Sequence, residues 1–490
     1  MKNSRLRHSS MRSVEWKIVA AGAVAVTFLG ALTAVAPFNA LILVALVVAL
    51  PAAVWLLGNV SRALFLLLAV VALFPRFASP VSIGFKPTLL DFAVLGLIAT
   101  QLRRNPAIPA IDGVVRVHAY VDAPVAALML VAVASFIVGV PNGALTTLVL
   151  RRFGEMLMSL TLLLVLTRVL RGDVDMQTRF VQFTLLLGGF SALLGLVLYV
   201  MPDEVAVRVL SVLRIFDYPS GPEVLRFILD DPTLTQRATG LWIDPNAFGG
   251  YLLLATALCL PQLVIERPFV PRWLAVACLG VMGMALVATV SRGAMLGLLL
   301  AGGVIGVLRY RRLLGLGLLI VALVLVLPQT RELVSHFIAG FQGNDLSTQM
   351  RFGEYKDAFR LIERYPVLGV GFTGSPDVDL YVGVSSMYLL ILQQMGVLGM
   401  AAFVAVIGAL AAGAVRAWPY VREDAHAAAI FLGAHASVIG ALFAGIFDHY
   451  FFNIDFHNSV TWMCAALALA AASQTFRATT RVRQLFIAKR

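Results

Sequence analysis

The stretch FVQFTLLLGGFSALLGLVLYVM, residues 180–201, decides the class of fold. It carries no charged side chain and is long enough for a helix to cross a hydrocarbon core of about 30 Å. Outward from it, similar apolar stretches recur along the whole chain, at roughly 17–36, 39–58, 63–75, 88–102, 123–140, 145–167, 246–265, 273–290, 293–308, 313–328, 386–413, 426–447 and 459–475. The pattern predicts an all-α polytopic membrane protein with about 14 transmembrane helices, within a range of about 12–14.

The composition agrees with this class of fold. The chain has 490 residues, of which 60% are hydrophobic and 13% charged, and its mean hydropathy is +0.90. A soluble domain carries about 25% charged residues, so an ordinary cytosolic enzyme and a disordered chain are excluded. The sequence has no phosphate-binding loop with a lysine, no dinucleotide fingerprint and no Cys or His spacing typical of a metal site. We therefore expect no metal, no cofactor and no nucleic-acid partner.

The distribution of positive charge predicts the orientation. If the N-terminus is cytoplasmic, the inner segments hold 24 of the 38 Lys and Arg residues but only 8 of the 26 Asp and Glu residues. Short cytoplasmic segments of membrane proteins are enriched in Lys and Arg in this way. An even number of spans then places both termini in the cytoplasm and two long segments, 202–245 and 329–385, on the outer side.

These two segments divide the chain into five predicted parts. Loops longer than about 15 residues are usually functional or disordered, and these two are not of low complexity. Each contains a predicted amphipathic helix, at 203–218 and at 348–364, where Pro366 ends the second helix. The parts are an N-terminal transmembrane bundle (1–201), a first outer loop (202–245), central transmembrane helices (246–328), a second outer loop (329–385), and C-terminal transmembrane helices with a basic tail (386–490).

Arginines on the predicted outer side indicate an anionic substrate. Arginine is permanently charged and binds phosphate oxygens in pairs, so several arginines at one membrane face suit a lipid diphosphate. The candidate diphosphate-binding residues are Arg237, Arg292, Arg351 and Arg152.

Each arginine also has a purely structural alternative. Arg292 could extend along the membrane surface, and Arg351 could be a charge on a helix surface. Arg152 could pair with Glu155 one helical turn away, and Arg237 could pair with a nearby aspartate. Those aspartates are Asp230, Asp231 and Asp244. Asp244 followed by Pro245 is also typical of a helix N-terminus.

The segment FDHYFFNIDFHN (447–458) contains the candidate acid–base residues. His449 could take a proton from a sugar hydroxyl, and Asp448 could orient His449 or act directly. The alternative is an interfacial belt of aromatic residues with incidental polar neighbours. A second glycine-rich segment, GVGFTG (369–374), is interpreted as a turn, because it lacks the lysine of a phosphate loop.

Four motifs in this order resemble the bacterial O-antigen ligase and polysaccharide polymerase superfamily. They span Arg237 to Leu252 (DPN.FG.YL), Ser291 to Gly293 (SRG), Arg351 to Phe372 (YP..GVGF) and Tyr388 to Gly399 (YL..L...G.LG). The resemblance covers roughly residues 235–475.

The resemblance implies an inner-membrane glycosyltransferase whose active site faces the periplasm. Its substrate would be an oligosaccharide on undecaprenyl diphosphate, and no metal is needed. By motif position, Arg237 and Arg292 inherit the diphosphate-binding role, and Arg351 less directly. Asn246, Tyr355 and Tyr388 lie in the same motifs and are expected to bind substrate.

One departure from the family pattern concerns the base. The ligases carry a His-Asn pair just before the YL motif, where this chain has Ser385 and Ser386. A serine cannot replace an imidazole as a general base. The departure favours a polymerase of exopolysaccharide or O-antigen repeat units over a lipid A-core ligase, with His449 and Asp448 as the catalytic candidates. A lipid-linked glycan flippase is the second alternative, and a chain-length regulator or export proteins are possible partners.

Overall fold

The computed structural model describes residues 58–80, 85–103, 119–326, 331–343, 346–377, 379–380, 383–453 and 459–487. The chain divides into two compact units, 1–63 and 64–490, and the features below belong to the second. The described chain is almost wholly helical, which confirms the all-α class. The helices are α1 Val60–Leu73, α2 Leu89–Arg103, α3 Ala119–Gly139, α4 Thr147–Leu170, α5 Val174–Val200, α6 Asp203–Ser211, α7 Pro245–Cys259, α8 Arg272–Ala288, α9 Arg292–Leu308, α10 Arg312–Val326, α11 Arg331–Phe341, α12 Leu346–Arg364, α13 Met387–Val421, α14 Ala425–Ala444 and α15 Ser459–Ile487.

Six described helices are long and apolar enough to cross a membrane: Val121–Asn142, Thr147–Leu170, Val174–Val200, Pro245–Leu263, Met387–Val421 and Ala425–Ala444. Six shorter apolar helices of 10–17 residues coincide with other predicted spans: Val60–Leu73, Leu89–Gln101, Arg272–Ala288, Arg292–Leu308, Arg312–Val326 and Ser459–Ser473. The predicted spans 17–36 and 39–58 lie outside the described residues. The count of fourteen is therefore not confirmed. A rise of about 1.5 Å per residue leaves these apolar segments below the thickness of a hydrocarbon core, although Ser459–Ser473 is part of the longer helix α15.

Helix α7 is the buried centre of the bundle, since all but one of its residues, Asn246, are buried. Small residues allow its neighbours α9 and α14 to pack closely on each other: a Cβ atom on Gly297 of α9 would lie 2.6 Å from the carbonyl oxygen of Gly440 in α14. Such small-residue contacts are typical of helix pairs in membranes, where apolar side chains gain little by leaving lipid.

Polar contacts join segments that the charge pattern assigns to the same side. Arg168 and Asp122, both predicted to be cytoplasmic, are 3.2 Å apart. Lys86 and Asp217, both predicted to be outside, form an ion pair of 2.6 Å. Such contacts are consistent with the predicted alternation of the spans, while the assignment of one face to the cytoplasm stays a prediction.

The first outer loop contains the predicted amphipathic helix and an unpredicted hairpin. In α6, Ala206 and Leu210 are buried, and Leu210 packs in an apolar cluster with Tyr218. The hairpin consists of β1 Arg226–Phe227 and β2 Gln236–Arg237, which pair antiparallel with Arg226 opposite Arg237. Two-residue strands are too short to produce an alternating pattern in the sequence, so the prediction missed them.

The second outer loop contains α11 and α12, and α12 confirms the helix predicted at 348–364. Beyond it, the chain packs against a break in α13, where Gly396 adopts φ 62°. The break lets the Val397 N–H donate to the Pro366 carbonyl over 2.8 Å, and the Val370 N–H donates to the Gln393 carbonyl over 2.9 Å. The segment containing GVGFTG is therefore a packed turn, as predicted, and it anchors the C-terminal end of α12.

Candidate functional site

An open cavity of about 410 Å³ lies where the two outer loops meet the ends of the central and C-terminal helices. Three of the four predicted diphosphate-binding arginines line it: Arg237, Arg292 and Arg351. Asn246 and Asp448 line it as well. The other lining residues are Arg226, Phe227, Ile228, Leu229, Asp230, Asp244, Pro245, Val290, Ser291, Gly293, Met350, Glu354, Ser385 and Phe447.

Arg237 is held in place by the protein itself. Its Nε donates to the Thr289 carbonyl oxygen over 2.8 Å, and its Nη2 donates to Oδ1 of Asn246 over 2.6 Å. Burial lowers the pKa of the Arg237 guanidinium, yet arginine stays protonated in proteins. Arg237 is therefore a charge fixed between β2, the α8–α9 turn and the start of α7.

Arg292 and Arg351 come from two other elements. Arg292 is the first residue of α9, and its guanidinium lies against the backbone of Gly340 in α11. Arg351 lies in the N-terminal part of α12. Three segments that are far apart in sequence thus present arginines to one cavity, which suits binding of an anion with several oxygens.

The N-termini of α7 and α9 also border the cavity, and Ser385, which precedes α13, lines it. Asp244 caps α7, because its Oδ1 accepts hydrogen bonds from the backbone N–H groups of Asn246 and Ala247, both over 2.8 Å. This confirms the predicted helix start. Helix N-termini carry partial positive charge, so the N-terminus of α9, which has no side-chain cap, adds to the attraction of the arginines for an anion, whereas the Asp244 carboxylate offsets that of α7.

Strained backbone is concentrated around the cavity. Leu229, Asp230, Ile243 and Val290 have φ between 53° and 67°, a region that costs non-glycine residues about 1–3 kcal/mol each. Ile243 and Val290 are β-branched, for which such angles are outliers. The backbone N–H of Ala238 donates to the Ala288 carbonyl over 2.9 Å and ties β2 to the α8–α9 turn that contains Val290.

The cavity is not purely positive. Beside its four arginines it contains four carboxyl groups, those of Asp230, Asp244, Glu354 and Asp448. Asp448 is 7% exposed, and burial raises the pKa of its carboxyl group. Arginines and carboxyl groups together suit a substrate with a charged diphosphate and neutral sugar hydroxyls.

Only one of the two predicted catalytic residues faces the cavity. Asp448 lines it, and its Oδ1 accepts a hydrogen bond from the backbone N–H of His449 over 2.9 Å. The imidazole Nδ1 of His449 lies 3.6 Å from the same oxygen, and His449 is not among the lining residues. Two further residues of the predicted segment, Asp455 and His457, lie outside the described residues.

The sequence analysis missed Glu354. The Oγ of Ser385 donates to Oε2 of Glu354 over 2.7 Å, and the backbone N–H of Ser385 donates to the same oxygen over 2.9 Å. The hydroxyl of Tyr355 lies 3.5 Å from the Ser385 carbonyl oxygen. Glu354 follows Arg351 by three residues, so the two side chains share one helix face, and this spacing was the available signal.

Three further predicted residues are not among those that line the cavity: Tyr355, Tyr388 and Arg152. Tyr388 donates its hydroxyl hydrogen to the Leu442 carbonyl oxygen over 2.7 Å and joins α13 to α14. Arg152 lies in the first turns of α4, next to the Arg151–Glu155 ion pair, and is not among the cavity-lining residues. Within the described ranges, no three His, Cys, Asp or Glu side chains are arranged to hold a metal ion.

Comparison with known proteins adds one match. No curated protein matches the chain. Residues 275–404 match the family described as O-antigen ligase. The matched segment contains Arg292, Arg351, Glu354 and Ser385, whereas Arg237 lies before it. The match supports the resemblance seen in the sequence: residues 275–404 are similar to the O-antigen ligase family.

Proposed function

We propose that this protein transfers or polymerises undecaprenyl-diphosphate-linked oligosaccharide repeat units at the periplasmic face of a bacterial inner membrane and releases undecaprenyl diphosphate. The family match supports ligase- or polymerase-type activity. The single observation that carries the finer proposal is the convergence of Arg237, Arg292 and Arg351 in one cavity. Three arginines and the N-terminus of α9 are more than a neutral sugar needs, and they fit a diphosphate.

The reaction follows from this arrangement. The acceptor hydroxyl oxygen attacks the anomeric carbon of the donor, while the bond from that carbon to the diphosphate oxygen breaks. The diphosphate leaves with the electron pair, and the arginines offset the charge that develops on it. Attack from the face opposite the leaving group inverts the anomeric configuration, and the hydroxyl proton passes to a base in the cavity.

The volume of the cavity indicates that only part of the substrate would lie inside it. About 410 Å³ lies within the range of small-molecule sites, about 300–1,000 Å³. It accommodates a diphosphate and the reacting sugars, whereas the rest of the glycan would extend outside. The prenyl chain would remain in the outer leaflet.

We infer that the acceptor is a second lipid-linked unit, as in a polymerase, because Ser385 and Ser386 occupy the position of the ligase His-Asn pair. A ligase acting on lipid A-core remains the alternative function. Asp448, which accepts a hydrogen bond from the backbone N–H of His449, is a candidate base. Asp448→Asn or Asp448→Ala would test this role. Partners that regulate chain length or export the product are compatible with this proposal.

The decisive experiment uses the purified full chain in detergent with a short-chain lipid-diphosphate oligosaccharide and no nucleotide. Free lipid diphosphate and product size are followed by mass spectrometry. A ladder of repeat units supports the polymerase, whereas a single transfer that requires a separate acceptor indicates a ligase. Absence of diphosphate release with either acceptor would refute the proposed activity and favour a flippase.

A further inference from the structure

We propose that Glu354, oriented by Ser385, is the base that removes the proton from the acceptor hydroxyl. The inference rests on the proposed function and deepens it. It accounts for how a chain with serine at the position of the ligase histidine still activates an acceptor.

The geometry of the pair carries the inference. Glu354 and Ser385 both line the cavity that contains Arg237, Arg292 and Arg351. The two hydrogen bonds from Ser385, 2.7 Å from Oγ and 2.9 Å from the backbone N–H, both end on Oε2 of Glu354. Oε1 takes part in neither bond and is the oxygen that would receive the proton. A carboxylate held by two donors on one oxygen is restricted in orientation, which is what proton transfer to its other oxygen requires.

The surrounding packing keeps the pair together. A buried apolar cluster joins Ala358 of α12 to Leu390 of α13 and to Val384, which precedes α13. Tyr355 packs on this cluster. Glu354 lies one helical turn before Ala358, and Ser385 follows Val384 directly. At the other end of α12, the Pro366 carbonyl is bonded to α13 at its break. Helix α12 is thus fixed to α13 at two points, and both follow the proposed base along the chain.

The alternative bases fit less well. Asp448 is only 7% exposed, so it offers little contact to an acceptor. His449 is not among the lining residues. Glu354 is partly exposed and lies on the same helix as Arg351. One face of α12 therefore presents a cation and a carboxylate to the same space.

The proposed step transfers one proton and one glycosyl group. The acceptor O–H bond breaks and its proton moves to Oε1 of Glu354. The acceptor oxygen forms the new bond to the anomeric carbon, and the bond from that carbon to the diphosphate oxygen breaks. The leaving diphosphate retains the electron pair, and Glu354 later returns its proton to solvent. These changes in bonding require no oxidant, reductant or metal.

The test compares Glu354→Gln with Glu363→Gln, a matched control on the exposed side of the same helix. In the full-length protein with the lipid-diphosphate oligosaccharide, Glu354→Gln should lower kcat by about 10²–10⁴-fold, the range for loss of a general base. KM for the donor should change by less than about threefold, because the arginines remain. Glu363→Gln should retain wild-type turnover.

Ser385 is a positioning residue in this scheme, and its test uses the pH profile. Ser385→Ala should lower kcat by about 10-fold, since one orienting bond is lost, while the acidic limb of the kcat profile should persist. In Glu354→Gln that limb should disappear. A second substitution, Ser385→His in the Glu354→Gln background, places an imidazole at the family position and should recover part of the lost turnover.

The outcomes separate the two proposals. Glu354→Gln turnover within about threefold of wild type, with diphosphate still released, overturns the role of Glu354 and leaves the proposed function intact. A wild-type protein that releases no lipid diphosphate refutes the function itself. If Glu354→Gln does not purify as a folded protein, Glu354→Asp replaces it. Withdrawal of the carboxylate by one methylene should cost about 10²-fold in kcat, and unchanged kcat would overturn the proposal.

Discussion

The two outer loops reach the same cavity by different means. The first loop, 202–245, supplies Arg237 on a short hairpin, and two hydrogen bonds fix that guanidinium to neighbouring elements. The second loop, 329–385, supplies Arg351 and Glu354 on a helix whose exposed face borders the cavity. Under the proposed function, the two loops would have different tasks: the first would hold a rigid anion-binding charge, and the second would carry the groups that act on the acceptor.

The largest loss of activity is expected for substitution of Arg237. Arg237→Ala should lower kcat/KM by about 10²–10³-fold, because a fixed donor to the leaving diphosphate is lost. Arg237→Lys should recover little, since a lysine lacks the fork that contacts both Thr289 and Asn246. Steady-state release of lipid diphosphate measures both. Arg208→Ala, at an exposed position of α6 in the same loop, is the control and should behave like wild type. If Arg237→Ala were as active as Arg208→Ala, the anion-binding role of the first loop would be contradicted.

The anchoring of the second loop is tested at Gly396. A Cβ atom there would lie against the Val367 backbone, and φ 62° with ψ −163° suits only glycine. Gly396→Ala should cost about 3 kcal/mol or more of stability and separate α12 from α13. Gly408→Ala, in the same helix with open space around it, should cause no loss. Thermal unfolding in detergent compares them, and equal midpoints would contradict the anchoring role.

A smaller effect is expected at Arg351. Arg351→Ala should lower kcat by about 10–10²-fold, less than Arg237→Ala, because this arginine shares its task with two others. Arg360→Ala, an exposed position on the same helix, should leave kcat within about twofold of wild type. Single-turnover rates with saturating donor measure the difference. A larger loss for Arg351→Ala than for Arg237→Ala would reverse the assignment of the two loops.

The smallest effect concerns stability and pH at Asp448. Burial raises the pKa of its carboxyl group in the folded protein. A carboxyl group with a raised folded pKa destabilises the fold once pH rises above its unfolded value, since the unfolded chain ionises first. Asp448→Asn should therefore unfold at a higher temperature than wild type at neutral pH, and the gap should close below about pH 4. If the difference in unfolding temperature between Asp448→Asn and wild type did not change with pH, ionisation of the Asp448 carboxyl group would not be its cause.

The membrane class and most helices could be predicted from the sequence because they depend on local pattern. Apolar length marks a span without reference to any other segment. The Asp244-Pro245 helix start is equally local, and the structure confirms it. The number of spans was not predictable in the same way, because apolar composition does not set helix length.

From the sequence alone one predicts a membrane protein with two long polar loops and arginines within the family-like motifs. Which of these arginines lie together depends on the tertiary packing. Arg237, Arg292 and Arg351 line one cavity, whereas Arg152 does not, and nothing in their spacing separates the two cases. Glu354 and Ser385 are 31 residues apart, and only the packing of α12 on α13 brings them into contact. A pair of residues on different helices is defined by packing, which local periodicity does not encode.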